Sequence, residues 1–249
     1  MTEPPAKKRR MELDGSEADT SLQLSESNSL VPAPAPPPPS IKYTCKDLIT
    51  LIVGPEQQKL VAHGHRLTRT SQFFTTELQK ELLEGQARTI HFAEEQVDTV
   101  TRYLDFVYGE GLPTEHTITY DDLEAYEDAY FHLFELYTFA KRVLDAEIQR
   151  AVVTETLRLC SLEGSEGERW LPEDRDISII YQGTPADSPA RRMLVDLQVS
   201  HGFAGSLESD TCDPTYSGDV ARAFNYYAQS NEQIEDFRSR ELSADDYLV

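Results

Sequence analysis

The chain has 249 residues, enough for one sizeable core with appendages, and its apolar fraction of 39% is low enough to predict that part of it stays unpacked. Acids outnumber bases 44 to 23, a formal charge of -21; a general phosphate-backbone binder or a protein adsorbed to anionic lipid needs the opposite sign, so neither direct nucleic-acid binding nor a membrane partner is expected. Three widely separated cysteines, Cys45, Cys160 and Cys212, suit reduced thiols better than a disulfide framework. With no membrane-length apolar run and no apolar core of a secretory leader, the expected location is the nucleus or the cytoplasm.

Residues 1–40 hold eight of the 14 prolines, ending in alternating Pro-Ala and then four consecutive prolines. Such a segment favours extended polyproline II and cannot build a core, so it reads as a disordered tail. It serves either as a spacer or as a ligand for a proline-recognising module. Lys7, Lys8, Arg9 and Arg10 form a basic cluster in this tail. The cluster reads either as a short nuclear-import signal or as a solvated charge run.

Asp47 to Val53 (DLITLIV) is rich in β-branched residues and closed by Gly54-Pro55, which predicts a strand. Lys59 to His63 (KLVAH) follows closely enough to pair with it as a hairpin. Ser71 opens a predicted helix over 72–83 with Phe73, Phe74, Leu78, Leu82 and Leu83 as its apolar residues. A third strand is predicted over 88–92, and a helix over 95–108, where Val97, Val100, Tyr103, Leu104, Val107 and Tyr108 recur at spacings of three and four. A small sheet with one buried face needs a roof, and these helices carry the apolar stripes to supply it.

These motifs together resemble the BTB/POZ family, in the variety found in short fungal-type proteins. The resemblance rests on 47–53, on Val61-Ala62-His63, on Leu67 with Ser71-Gln72-Phe73-Phe74, on Ile90-His91-Phe92, on Tyr103 to Gly109, and on a helix over 130–141. It covers roughly residues 43–145 and implies an α+β fold, with a three-stranded sheet packed against a cluster of about five helices. It also implies an edge strand at Thr117 to Tyr120. The acidic stretch 121–128 reads as a solvated insertion or turn.

In family members that recruit co-repressors, the strand Asp is joined by a Lys or Arg directly after the His. Asp47 matches the first position, but Gly64 occupies the second, and Arg66 falls where an apolar residue is usual. Asp47 and Arg66 are therefore the candidate charged pocket, with a shifted Arg66 meeting Asp47. Members that act as cullin-3 adaptors carry an apolar residue, any residue, then Glu, after the helix corresponding to 95–108. The nearest match here is Pro113-Thr114-Glu115, with Leu112 beside it as a residue that could fill a partner groove.

From residue 144 on, the apolar residues Leu144, Ile148, Val152 and Leu157 predict an amphipathic helix over 144–159, read as core cover in preference to a partner groove. Residues 162–168 read as a loop. Ile177, Ile179, Ile180 and Tyr181 fit strand or helix spacing; helix is preferred, because the block then resembles the C-terminal pattern of the fungal-type proteins. Ser188-Pro189 suits the start of a helix ending near His201-Gly202. Arg191 and Arg192 are expected to pair with acids. Residues 146–205 make up a helical extension, and 206–249 an acidic tail with a short helix over 218–230; its end from Ser243 reads as frayed in preference to a linear docking tail.

Chemistry is sparse. His63-Gly64-His65 offers two metal-ligand types, but a zinc site needs further ligands in space, and the remaining histidines and cysteines lack the spacing. No cysteine has a nucleophile signature, and neither Gly54-Pro55 nor Gly109-Glu110-Gly111 has the context of a phosphate cradle. The expectation is a non-enzymatic protein–protein interaction module without metal or cofactor. The resemblance implies two routes for it, a homodimer through residues 43–53 and 66–84 or a cullin-3 ubiquitin-ligase adaptor, and the basic cluster Lys7 to Arg10 suggests a third, a nuclear transcription-related regulator.

Overall fold

The computed structural model describes residues 47–84, 88–112, 114, 123–163, 169–201, 212–227, 237–238 and 240–247. All belong to one compact unit, Tyr43–Val249. Among them are eight α-helices and one three-stranded sheet, a mixed α+β architecture.

The sheet begins as a hairpin. β1 (Leu48–Val53) pairs antiparallel with β2 (Gln58–His63), in a register that sets Leu48 against His63 and Val53 against Gln58. The turn takes Gly54 and Gln57 through positive φ (72° and 53°), a bend open to glycine without steric cost. β3 (Thr89–Phe92) then lies parallel to β1 on its other side, giving the order β2-β1-β3. The Gly54 N–H donates to the Phe92 carbonyl at 2.9 Å and ties the hairpin turn to β3. Alternation along β1 sends Ile49, Leu51 and Val53 inward, each fully buried, and Leu48, Thr50 and Ile52 outward.

Between β2 and β3 come α1 (Gly64–Leu67) and α2 (Gln72–Glu84). Ser71 caps α2: its hydroxyl accepts from the Phe74 N–H at 3.2 Å and donates to the Val143 carbonyl at 2.6 Å. α3 (Val97–Tyr108) starts two residues later than the spacing predicts, because Glu95 is buried and paired with Arg142 instead of joining the helix. It ends at Gly109, whose φ of 94° closes a left-handed C-terminal cap, with Gly109 and Glu110 donating to Phe106 and Asp105 carbonyls.

α4 (Leu123–Arg142) is the longest element and corrects the reading of 121–128 as a solvated insertion. Tyr126 is buried, because its ring continues the inward stripe of Tyr130, Leu133, Phe134 and Tyr137. Phe74, Phe92, Tyr103 and Phe139 join α2, β3, α3 and α4 in an aromatic cluster, with centroids 5.1–6.1 Å apart along the chain of contacts. Each such side chain contributes about 1.5–3 kcal/mol of burial, more than any surface contact in the molecule can offer. The strand expected at 117–120 lies outside the described residues.

The junction between α4 and α5 (Ala146–Ser161) is a polar knot. Asp145, with no exposed surface, accepts from Thr70 Oγ1 at 2.6 Å, from the Tyr103 hydroxyl at 3.0 Å and from the Ile148 N–H at 3.3 Å. It caps α5 and ties it to the α1–α2 turn and α3 at once. Leu144 does not join the buried face expected of it. It precedes the helix at φ 53° and is 53% exposed.

α6 (Asp174–Gly183) is a helix, as preferred over a strand, and begins with a capping box between Glu173 and Asp176. α7 (Pro189–His201) starts at its proline. Arg191 and Arg192 do not meet acids in the expected way. Arg191 donates to the carbonyls of Tyr181 and Thr184 and lies over the Tyr181 ring, while Arg192 donates to the Asp246 carbonyl. Both serve as caps for backbone that would otherwise lack donors. α8 (Pro214–Tyr227) begins earlier than predicted, capped by Asp213, and buries Tyr216 and Val220. A single 3-10 turn, Ala244–Tyr247, closes the described chain. Tyr247 is buried, so this end is docked where fraying was expected.

Candidate interaction surface

The outer face of the sheet is the least covered apolar region near the predicted site residues. Val61 on β2 is 57% exposed and Leu48 on β1 is 39% exposed. Period-two alternation puts Leu48, Thr50 and Ile52 of β1 on this face with Val61 and His63 of β2, since Leu48 opposes His63 and Thr50 opposes Val61. Tyr108, the last residue of α3, borders the face and is also exposed.

Beside this face is a compact polar cluster. The His63 N–H donates to the Tyr108 hydroxyl at 2.9 Å, and His63 Nδ1 shares a second hydrogen bond with it at 2.8 Å. The Asp47 carboxylate pairs with His65 Nδ1, accepts from the His65 N–H at 3.4 Å and has the Arg88 guanidinium 3.9 Å away. Burial works to raise the Asp47 carboxyl, but the His65 bonds and the Arg88 charge outweigh it and hold the group below its ordinary value. It is therefore a carboxylate at neutral pH, and its pairing with His65 remains partly open to solvent.

Asp47 is thus the anchor of the cluster, but its partner is His65, not Arg66. Arg66 instead sits over the Tyr108 ring, 5.8 Å from the centroid. Gly64 packs closely here. A Cβ there would stand 3.0 Å from both Asp47 Oδ1 and Ile49 Cδ1 and 3.3 Å from Leu78 Cδ1, so a longer residue would need these side chains to give way by a few tenths of an ångström. The single turn of α1 then carries residue 65 to Asp47 and residue 66 toward Tyr108.

The other predicted residues fare differently. Leu112 is 4% exposed and packs into the core, so it cannot fill a partner groove as the sequence suggested. Pro113, Glu115, Lys7, Lys8, Arg9 and Arg10 lie outside the described residues. His63 and His65 do meet at the end of β2, with ring centroids 5.6 Å apart, and each is engaged by Tyr108 or Asp47. Among the described residues no three His, Cys, Asp or Glu side chains gather as metal ligands would, and no helix is long and apolar enough to cross a membrane. Cys160 is buried, and burial, partly offset by its contact with the Tyr130 hydroxyl, pushes its thiol up to about 12.

Sequence reasoning missed Tyr108 and Val61 as surface residues, since both sit inside otherwise core-forming patterns. The signal was available in β2, where Val61 falls on the strand face opposite Ala62. In comparison with known proteins, no family model matches the chain and no curated sequence matches it.

Proposed function

We propose that this protein is a non-enzymatic interaction module of the BTB/POZ type and that its partner is a second copy of the same chain. The observation that carries the reading is the uncovered outer sheet face, where Leu48 and Val61 stand exposed between the His63–Tyr108 and Asp47–His65 pairs. An apolar centre bordered by polar and aromatic groups is the composition of a protein interface. The BTB/POZ part of the proposal draws support from the sheet, in which the three segments carrying the resemblance lie side by side in the order β2-β1-β3. The segment expected in a homodimer, 43–53, supplies β1 to this face. The cullin-3 reading is the weaker alternative, because Leu112 faces inward.

Light scattering of the full chain tests the proposal. A dimer has twice the chain mass of 28.2 kDa and reverts to monomer on Val61→Glu, which sets a carboxylate at the centre of the contact. A monomer at every concentration up to about a millimolar, the range of very weak association, overturns it.

A further inference from the structure

The C-terminal 3-10 turn docks by contacts that read as recognition of a peptide. In a chain of net charge -21, one arginine from α5 and one from α7 meet two aspartates of the segment, and Arg240 of the segment itself joins them. Arg150 of α5 donates to Asp245 at 2.5 Å, Arg192 of α7 donates to the Asp246 carbonyl, and Arg240 donates to the Asp246 carboxylate at 2.7 Å. Tyr247 inserts behind them, its hydroxyl donating to Asp196 of α7 at 3.0 Å and the Arg192 guanidinium over its ring at 5.4 Å. Ser243 caps the turn through its hydroxyl, which accepts from the Asp245 N–H.

Next to Tyr247 a cleft of about 230 Å³ stays open between α4, α5 and α7, walled by Tyr137, Lys141, Leu144, Gln149, Val153 and Pro189. Leu144 is the informative wall. It holds a left-handed φ that disfavours a branched L-residue and exposes half of its apolar surface. Glycine would be easier there on both counts, so a leucine at this position points to an apolar contact that the turn itself does not complete.

We propose that this cleft is a docking site for acidic, tyrosine-bearing segments of a partner protein, with a carboxylate two residues ahead of the aromatic ring and an apolar residue after it. The chain's own Ala244–Tyr247 holds the site in cis and is displaced by such a segment. Arg150 selects the first carboxylate, Arg192 holds the backbone carbonyl of the residue before the ring, Asp196 selects a hydroxyl-bearing ring over phenylalanine, and Leu144 with Val153 and Tyr137 receives the apolar residue that follows. The proposal concerns a surface built from α4, α5 and α7 and is independent of the dimer reading of the sheet.

The probe is a fluorescent peptide with the sequence of residues 241–249, added to the full-length protein. The variant carrying Asp245→Lys, Asp246→Lys and Tyr247→Ser frees the cleft. It is expected to bind the peptide at least ten times more tightly than the unaltered chain, and to lose that binding on further Arg192→Glu. Equal binding by both chains, or binding indifferent to Arg192→Glu, overturns the proposal. Hydrogen exchange on the unaltered chain is the second measurement and needs no variant. Saturating peptide should speed exchange of the 241–247 amides at least severalfold, and unchanged exchange overturns the proposal as well.

Discussion

Asp47 and Asp145 sit in small polar clusters of similar make-up, yet one lies at the surface and the other in the core. Asp145 has no exposed surface and three donors from three elements. Asp47 is partly exposed and has His65 as its near partner, with Arg88 at 3.9 Å. A carboxylate that is fully enclosed and fully bonded acts as a fastener, because losing it strands every donor that faced it. One that keeps water on one side contributes little to stability and is free to meet a partner. Residue type says nothing about which role is played; enclosure and the number of donors decide.

The strongest way to break this contrast is Asp145→Ala. It removes the α5 cap, worth about 1 kcal/mol, and leaves the buried Tyr103 hydroxyl without its acceptor at about 1–3 kcal/mol, with a smaller loss at the half-buried Thr70 hydroxyl. A loss of about 3–5 kcal/mol in urea denaturation is expected, and a loss below about 1 kcal/mol would remove Asp145 as the fastener. Tyr103→Phe sharpens the same point at lower cost. It deletes one of the three donors while keeping the ring between Phe74 and Phe139, so about 1 kcal/mol is expected from the same titration.

The smallest effect belongs to the surface cluster. Asp47→Asn should change stability at neutral pH by less than about 1 kcal/mol, the usual worth of a solvated pair. The folded-state carboxyl lies below its ordinary value of 3.8, so its contribution is fully present above 3.8 and is lost as the pH falls through the lower folded value. The denaturation midpoints of the two proteins should therefore converge in acid, and a gap that widens below pH 3.8 would reverse the assigned sign.

Much of the sheet could be read from the residues. β-Branched alternation in β1, the Gly54-Pro55 stop and the short link to β2 are local signals, and the structure pairs those segments in one sheet with β3. The full extent of α4 could not be read, because acidic composition over 121–128 hides the helical spacing that joins Tyr126 to Tyr130. Asp47 was recognisable as a charged anchor, but its partner was not. That choice depends on where the single turn of α1 sets residues 65 and 66, a geometry no pattern encodes. Tyr247 escaped notice for a related reason: Asp196 and Arg192 lie far from it in sequence and meet it only once the chain end has packed against α7.

The parallel pairing of β1 with β3 also sets an order of events in folding. The β1–β2 hairpin closes locally, a matter of microseconds for such units, whereas β3 must wait until α1 and α2 have carried the chain back across the sheet. During synthesis, β1 therefore spends an interval with one row of amides and carbonyls bare, and a ribosome paused after the hairpin has emerged but before Thr89 has would hold out an unguarded strand edge to its neighbours on the same message.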